Sequence, residues 1–553
     1  MAEQSVGIPG IQFTTAPDLH SRRRGALLRR LNWSKVLSLA SLAVLLVAFF
    51  YLELRLPLST ATKIGQDEDY ELSKATLVNH GYNLYSEIWN DQPPLITVMI
   101  AKLTKWWPQS ILAPRLMTVC FSALLLGFTY LFIRSVNGSL AAAIGSLFLL
   151  GSPGFLELSS SVMQELPALG SAVAALCLLW LMPRGKALLP ELVAGIVFGF
   201  SLQLKLIGLA YLPLVLVILV VRSSGKSNTT YECWNLTLRR ALNLMSAFNG
   251  CVMFGLSAAI IFVFLNYATG NPLLLQLRQA WAAHVAHAQS LEYPAPDGFG
   301  FDWSVLLKNW DTALPAAIGV CFLISALPRR FEFLLPISWL VLAFAVFGIH
   351  KPWWAYYYVH TAVPLCWCAG VGLSQGLERL WSRLRKGTPR VRNGGVRGPG
   401  KVTTVVRSWA LTACVSVFIL CAGAWTGARV VLEERAIASS QRLETDLVVH
   451  EVQRYRPFTH FMFSDRPIYS FHADIPMPPR LAVISLKRFW TGDLSNAGLA
   501  AELEDVKPGL ILLGKDTREP VYQDLLAREY RLVYEDSANR LYAHESISKK
   551  PNL

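Results

Sequence analysis

Four neighbouring side chains, Asp67-Glu68-Asp69-Tyr70, combine three carboxyl groups with a phenol. Positioned carboxylates can move protons to and from a reacting group, which is the chemistry of a general acid or base. Further polar and aromatic residues follow: Lys74, Tyr82, Tyr85, Trp89, Asn90, Asp91 and Gln92. A solvated loop with an acidic first helical turn would have a similar composition. The length of the segment and its mixture of acids and rings favour a site over a simple connection.

Two charged residues at the ends of apolar runs form a second group of candidates. Glu165 lies in Val-Met-Gln-Glu-Leu-Pro, at the outer end of an apolar run. A carboxylate at that depth in the membrane is costly unless it faces a polar cavity. Lys205 separates two apolar runs almost without a loop, and a lone lysine at that point suits an anionic ligand such as a phosphate. For both residues the alternative is a side chain that extends to the membrane interface.

The segment from His350 to His360 reads His-Lys-Pro-Trp-Trp-Ala-Tyr-Tyr-Tyr-Val-His. An interfacial belt of Trp and Tyr explains its aromatic residues, but not the two histidines and Lys351. His284 and His287 have a spacing that could ligate a metal, yet the sequence offers no third ligand. We therefore assign no metal site and no cofactor, and we leave the use of a divalent metal open.

The elements that must position these residues are membrane helices. Of the 553 residues, 53% are hydrophobic and only 16% are charged. About 20 apolar helical residues cross the hydrocarbon core, and backbone in lipid must satisfy its own hydrogen bonds. We predict an α-helical polytopic membrane protein with about eleven spans of this length. They lie near residues 36–54, 112–134, 139–157, 162–182, 188–204, 206–222, 242–266, 312–328, 331–349, 358–376 and 408–428.

The basic residues are distributed so as to orient this protein. The net charge is +14, and the arginines and lysines concentrate in alternate short loops. Loops of this kind face the cytoplasm, so the distribution indicates membrane orientation rather than a nucleic acid partner. We predict a basic cytoplasmic N-terminus (1–35) and a transmembrane domain (36–428) with a large outer loop (57–111). All the candidate residues then lie on the outer face.

Residues 429–553 form a polar segment that predicts a small extracytoplasmic α/β domain. Its predicted helices are Val448–Tyr455 and Pro520–Glu529. Its predicted strands are Phe461–Ser464, Leu481–Ser485, Gly509–Leu513, Tyr530–Tyr534 and Arg540–Ala543. The segment has no nucleotide-binding glycine signature, so we interpret it as a cap or an acceptor-binding module.

The outer loop resembles that of GT-C-type membrane glycosyltransferases, namely the dolichyl-phosphate-mannose–protein mannosyltransferase-like proteins and the lipid A aminoarabinose transferases. The similar residues are the acidic motif at 67–70, Gly81-Tyr82-Asn83-Leu84-Tyr85 and Trp89-Asn90-Asp91-Gln92-Pro93-Pro94-Leu95. Arg115, Glu165-Leu166-Pro167, Lys205, the aromatic run before the tenth span and the small outer domain fit the same pattern. The resemblance therefore spans most of the chain.

This resemblance implies an inverting transfer of one sugar from a polyprenyl-phosphate carrier to an acceptor hydroxyl. The family's aspartate corresponds to Asp67, which would deprotonate the acceptor, and Glu68 would orient or assist it. The resemblance further implies carrier-phosphate binding by Lys205 and Arg115, and sugar or acceptor binding by Glu165, Tyr70, Tyr356, Tyr358 and His360. Many relatives have a basic residue where this chain has Gln92, which leaves phosphate binding at that point open.

Other functions are compatible with the sequence. A transporter or flippase of lipid-linked glycans would need internal repeats or broken helices around a midplane site, and we find no clear repeat. A polymerase or ligase would use similar chemistry on a longer donor, whereas a non-catalytic assembly factor would tolerate the loss of Asp67. The expected partners are a polyprenyl-phosphate-linked sugar, membrane lipid and a glycan, lipid or protein acceptor. We expect a bacterial inner (plasma) membrane, because the chain shows no eukaryotic retention signal.

Overall fold

The computed structural model describes residues 33–183, 188–224, 236–284, 300–350, 353–386, 400–515 and 520–549. Contacts divide the chain into two units, residues 1–44 and 45–553. Of the first unit, the described residues 33–44 form the beginning of the first helix. All the interactions given below lie within the second unit.

Helices make up most of the described chain. In order they are α1 (Trp33–Arg55), α2 (Glu68–Asn79), α3 (Leu95–Trp106), α4 (Leu112–Asn137), α5 (Ser139–Leu150), α6 (Phe155–Ser160), α7 (Glu165–Leu181), α8 (Leu189–Leu204), α9 (Leu212–Ser224), α10 (Leu236–Ala268), α11 (Leu273–His284), α12 (Ser304–Lys308), α13 (Trp310–Ala326), α14 (Leu334–Phe347), α15 (Tyr358–Lys386), α16 (Gly400–Ala438), α17 (Leu447–Arg454), α18 (Ile468–Ala473), α19 (Leu486–Trp490), α20 (Asn496–Val506) and α21 (Pro520–Glu529). Short 3-10 turns at Leu206–Tyr211, Ala355–Tyr357 and Pro479–Leu481 adjoin the residues of interest.

Five helical segments of the described chain are long and apolar enough to cross a membrane, judged by length and composition: Val36–Arg55, Leu112–Asn137, Leu206–Ser223, Leu244–Ala268 and Ser416–Ala438. Five shorter apolar helical segments lie between them in sequence: Ser139–Leu150, Glu165–Leu181, Leu189–Leu204, Trp310–Ala326 and Phe331–Phe347. The predicted α-helical polytopic membrane fold is confirmed. The number of eleven spans stays a prediction.

Several predicted spans have different ends in the structure, among them 139–157 and 408–428. The run 139–157 is interrupted after Leu150, because a Pro-Gly pair follows and Gly154 takes φ +72°, a conformation that glycine adopts without strain. The last run, predicted at 408–428, belongs to a helix that continues to Ala438. The predicted boundary between the membrane domain and the C-terminal domain therefore falls inside α16.

The segment 57–111 folds into α2 and α3 and is not a simple solvated loop. Its acidic motif does begin a helix, but Glu68, Asp69, Glu71 and Lys74 of α2 are all buried. A buried charge is stable only when it is paired or hydrogen-bonded. The helix must therefore bring its charges into contact with partners inside the protein.

The C-terminal region carries a four-stranded sheet of β1 (Met462–Ser464), β2 (Leu510–Gly514), β3 (Tyr530–Glu535) and β4 (Asn539–His544). The strand order is β1-β2-β4-β3, with β1 and β2 parallel and the other pairs antiparallel. This sheet, with helices packed on it, confirms the predicted small α/β layer. The predicted strand Leu481–Ser485 is wrong: the segment lies outside the four strands of the sheet, and its carbonyl oxygens at Val483 and Ile484 accept from the side chains of Arg488 and Tyr70.

One apolar core joins the first loop to the C-terminal sheet. Leu72 of α2 and Ile100 of α3 belong to the same buried cluster as Val452 of α17, Leu510 of β2 and Leu541 of β4. Burial of one such side chain contributes about 1.5–3 kcal/mol. The loop and the sheet therefore stabilise each other, and the C-terminal region is held against the loop that carries the acidic motif.

Candidate active site

An open cavity with about 960 Å³ of empty space, its mouth included, lies where the first loop, the ends of apolar helices and the C-terminal region meet. Its lining includes five residues predicted from the sequence: Asp67, Tyr70, Glu165, Lys205 and Tyr356. They come from the beginning of α2, the beginning of α7, the end of α8 and the 3-10 turn before α15. The fold thus brings together charges that are far apart in the sequence.

Asp67 directly precedes α2, and its backbone N–H contacts Met163 Sδ at 3.4 Å. Its half-buried side chain accepts a hydrogen bond from the Tyr356 hydroxyl. Burial and the nearby Asp67 carboxylate raise the pKa of Tyr356 well above its ordinary value, so the phenol stays protonated and keeps donating. The Asp67 side chain lines the cavity, where a carboxylate can reach the hydroxyl of a ligand.

Glu165 and Lys205 form a buried ion pair whose side chains are 1% and 10% exposed. Glu165 is the first residue of α7, and Lys205 has extended backbone immediately after α8. The Lys205 ammonium lies 5.5 Å from the ring centre of Tyr356 and 5.6 Å from that of Tyr357, which is within cation–π range. An ammonium has three donors and Glu165 takes one of them, so Lys205 can bind an anion without breaking the pair.

Two further lysine–carboxylate pairs of the described chain line the same cavity. Lys74 Nζ lies 2.6 Å from Glu71 Oε1 and 2.8 Å from Asn90 Oδ1. Lys487 Nζ lies 2.9 Å from Asp91 Oδ2. Glu71, Asp91 and Glu165 thus face lysines, whereas the contact recorded for the Asp67 carboxylate is the Tyr356 hydroxyl. This difference singles out Asp67 among the cavity's acids.

Sequence reasoning did not assign Glu71 or Lys487 to the site. Glu71 follows Asp67 by four residues, which places both on one helix face, and that spacing could have identified it. Lys487 lies in a polar segment in which nothing marks it. Gln92, where a basic residue was expected, lines the cavity and donates from Nε2 to Asp91 Oδ2 at 3.2 Å.

Glu68 and Arg115 do not line the cavity. Arg115 donates from Nε and Nη2 to the two carboxylate oxygens of Glu68 at 2.8 and 2.9 Å, and neither side chain is exposed. Arg115 Nη1 also donates to the carbonyls of Leu58 and Ala61 at 2.8 and 3.0 Å. Burial alone would raise the pKa of Glu68, but the guanidinium holds it below its ordinary value. The pair fixes the backbone beside Asp67, and we place neither residue in the reaction.

The other predicted aromatic residues differ in their access to the cavity. Tyr70 lines it, and its hydroxyl donates to the carbonyl oxygen of Ile484 at 3.0 Å. Tyr358 and His360 lie on α15, are 3% and 0% exposed, and do not line it. His360 Nδ1 is 2.6 Å from the Tyr211 hydroxyl. The structure therefore brings Tyr70 to the site, but not Tyr358 or His360.

Within the described ranges, no three His, Cys, Asp or Glu side chains are grouped so as to hold a metal ion. His287 and Lys351 of the predicted groups lie outside the described residues, and so does the side chain of His284. The described cavity offers carboxylates, ammonium groups and aromatic rings, which suit a ligand with a phosphate and hydroxyl groups.

By sequence, no family model and no curated protein matches this chain. Its fold is that of GT-C-type membrane glycosyltransferases, as the resemblance implied. ArnT from Cupriavidus metallidurans in the apo state matches with a TM-score of 0.58 and 15% identity, over 93% of this chain and 98% of that chain. The structure of the same protein bound to undecaprenyl phosphate gives 0.55 and 16% over the same shares.

The Archaeoglobus fulgidus oligosaccharyltransferase, in complex with Zn and sulfate, matches with a TM-score of 0.50 and 12% identity. The match covers 90% of this chain and 73% of that chain. At these identities the likeness establishes the fold alone, and the function has to be inferred from the residues that line the cavity.

Proposed function

We propose that this chain is a glycosyltransferase that moves a sugar, with inversion, from a polyprenyl-phosphate carrier to an acceptor hydroxyl. One observation carries the proposal: Asp67 and the Lys205–Glu165 pair line a single cavity, so a base and a cation face the same ligand space. The GT-C fold supports the reaction class, and undecaprenyl phosphate in the ArnT structure supports the donor class.

In the proposed reaction, Asp67 takes the proton of the acceptor hydroxyl while that oxygen attacks the anomeric carbon. The new carbon–oxygen bond forms as the bond from the anomeric carbon to the carrier phosphate breaks, and the bonding electrons leave with the phosphate. The phosphate gains negative charge, which Lys205 stabilises. The products are the glycosylated acceptor, polyprenyl phosphate and protonated Asp67, which releases its proton to solvent through the open mouth.

Neighbouring groups position Asp67 and Lys205. Tyr356 holds Asp67 through its hydroxyl and contacts Lys205 through its ring. Glu165 balances the charge of Lys205, and its second oxygen can accept a hydrogen bond from a sugar hydroxyl. The ring of Trp354 in the lining offers a surface on which a sugar can pack.

The same arrangement suits a donor that has its sugar in water and its chain in lipid. The cavity lies at the ends of apolar helices and opens beside the first loop. Since alternate basic loops face the cytoplasm, we place the reaction on the outer face of a bacterial inner membrane.

The test is sugar transfer by the purified protein in lipid nanodiscs, with a panel of radiolabelled polyprenyl-phosphate sugars and candidate acceptors. Asp67→Asn should slow transfer by about 10²–10⁴, the usual contribution of a general base. Asp69→Asn is the matched control, because Asp69 belongs to the same motif but is buried against Lys63 at 2.7 Å and does not line the cavity. It should transfer at close to the wild-type rate.

Wild-type protein that neither transfers nor hydrolyses any donor, or equal rates for Asp67→Asn, would overturn the proposal. Movement of the labelled carrier between leaflets without transfer would identify a transporter or flippase. Growth of a glycan chain on the donor, or its transfer as a whole, would identify a polymerase or a ligase.

A further inference from the structure

Lys487 enters the cavity from the C-terminal region, far in sequence from the other lining cations. It is the second residue of α19, and its ammonium lies 2.9 Å from Asp91 Oδ2 in the first loop. The two side chains are 20% and 12% exposed. This ion pair therefore joins the C-terminal region to the loop at the rim of the proposed active site.

The segment that carries this lysine, residues 483–488, is held by contacts on either side of Lys487. Its neighbour Arg488 donates from Nη1 to the Val483 carbonyl at 3.0 Å, and the guanidinium lies 5.5 Å from the ring centre of Trp89. The Tyr70 hydroxyl donates to the Ile484 carbonyl at 3.0 Å. Because this segment contacts two residues of the first loop, Trp89 and Tyr70, the position of Lys487 is preorganised. Binding a ligand there therefore costs little conformational entropy.

Lys487 is the most accessible of the three lysines described in the lining. The side chain of Lys74 is 4% exposed and is held by Glu71 and Asn90, whereas those of Lys205 and Lys487 are 10% and 20% exposed. The recorded bond to Asp91 uses one of the three ammonium donors of Lys487. This ammonium can therefore meet a ligand that enters from the mouth.

Lys205 and Lys487 act on each other across the cavity. Burial alone would lower the pKa of Lys487, the contact with Asp91 raises it above its ordinary value, and the charge of Lys205 opposes this rise. The Tyr357 hydroxyl lies within electrostatic reach of both ammonium groups. Two cations that repel each other in a partly buried space are stabilised by an anion between them.

We propose that Lys487 completes, with Lys205, the site that binds the carrier phosphate, so that the C-terminal region supplies part of the donor-binding machinery. This inference rests on the function proposed above. The donor is a phosphodiester with one negative charge, and the product is a monoester that carries close to two. A second cation therefore stabilises the leaving phosphate more than the bound donor, which lowers the barrier as well as the dissociation constant.

The experiment measures binding of undecaprenyl phosphate and of undecaprenol to the full-length protein in nanodiscs. The variants are Lys487→Ala, Lys487→Arg and Asp91→Asn. The control is Lys507→Ala, because Lys507 pairs with Glu529 at 2.8 Å elsewhere in the C-terminal region and is half exposed. Thermal unfolding of each variant verifies that it is folded.

Lys487→Ala should weaken binding of undecaprenyl phosphate by about ten- to a hundredfold, the range for one hydrogen bond to a charged group. Binding of undecaprenol should not change, and Lys487→Arg should keep most of the affinity. Asp91→Asn breaks the same ion pair but leaves the cation, so it should bind undecaprenyl phosphate at least as tightly as wild type. A merely structural pair would instead make Asp91→Asn and Lys487→Ala equally weak.

Wild-type affinity for undecaprenyl phosphate in a folded Lys487→Ala variant would overturn the inference. This holds even if that variant lost transfer to phosphate-bearing acceptors alone, because Lys487 would then serve the acceptor and not the carrier. If the wild-type protein does not bind undecaprenyl phosphate at all, the donor class fails, and the proposed function fails with this inference. If wild type and Lys487→Ala bind undecaprenyl phosphate equally well, this inference fails, but the proposed function does not.

Discussion

Arg115 binds both carboxylate oxygens of Glu68, at 2.8 and 2.9 Å, in an ion pair that has no exposed side-chain surface. Glu68 also accepts hydrogen bonds from the backbone N–H groups of Ile64 and Val162 at 2.8 and 3.0 Å. The pair therefore ties the first loop to α4 and to the segment before α7. Because Glu68 follows Asp67 directly, the same contacts fix the backbone from which Asp67 reaches the cavity.

Removing the cation of this pair should destabilise the protein strongly. Arg115→Met leaves a buried carboxylate without its counter-charge, which costs about 3–5 kcal/mol. Adding Glu68→Gln removes that charge and should recover part of the loss, since a glutamine can still accept from one of the two N–H groups. Thermal unfolding of both variants in detergent measures the recovery. A stable double variant that binds the carrier more weakly than wild type would return Arg115 to the phosphate site predicted from the sequence.

Variants of the Lys205–Glu165 pair should distinguish a loss of stability from a loss of sugar transfer. Lys205→Met leaves the Glu165 carboxylate, which is 1% exposed, without its cation, so the variant should lose both stability and transfer. The double variant Glu165→Gln/Lys205→Met should regain most of the stability, yet transfer sugar about 10²–10³-fold more slowly, because the leaving phosphate lacks that cation. Unfolding temperature and single-turnover transfer are measured on the same preparations. Wild-type transfer by a stable double variant would exclude Lys205 from phosphate binding.

Two nearby tyrosines allow a matched test of the contact to Asp67. Tyr356→Phe keeps the ring beside Lys205 but removes the hydroxyl that donates to Asp67. We expect the transfer rate to fall by about ten- to a hundredfold, the range for one hydrogen bond to a charged group. Tyr358→Phe removes a hydroxyl that does not line the cavity and should have a smaller effect. The opposite order in a transfer assay would support the role first predicted for Tyr358.

Much of the fold could be predicted because its signals are local. Apolar runs mark the helices, and the predicted helix Pro520–Glu529 has the bounds found in the structure. The segment Leu481–Ser485 has the apolar composition of a strand, but its carbonyls at Val483 and Ile484 are satisfied by the side chains of Arg488 and Tyr70. Tyr70 lies 414 residues away along the chain, so the local pattern could not reveal that partner, and the prediction of a strand was wrong.

The site could be predicted only where a charge is conspicuous in its surroundings. Glu165 and Lys205 stand out because charged residues at the ends of apolar runs are costly without a partner. Arg115 was assigned to the phosphate site through the resemblance, and the sequence does not distinguish a guanidinium that faces a ligand from one enclosed with Glu68. Lys487 gave no signal, since a lysine is ordinary in a polar segment, and its position depends on how the C-terminal region packs on the first loop.

His472 links that C-terminal region to the first loop and makes the contact sensitive to pH. The side chain is 2% exposed, and Nε2 lies 2.9 Å from the carbonyl oxygen of Thr62, which it reaches as a donor. Burial lowers the pKa of His472 below its ordinary value of 6.5 and outweighs the opposite effect of the Thr62 carbonyl. The unfolded chain therefore takes up a proton more readily than the folded protein. Stability should fall as the pH drops below about 6.5 and level off below the pKa of the folded state.

The unfolding temperature in detergent, measured from about pH 8 to about pH 5, tests this linkage. His472→Gln provides the comparison, because its amide can donate to the same carbonyl and does not titrate. Wild type should lose stability more steeply than the variant below about pH 6.5, and the two should differ little above about pH 7. Titrating groups that do not interact with His472 cancel in the difference. Parallel curves across the whole range would show that protonation of His472 is not linked to unfolding.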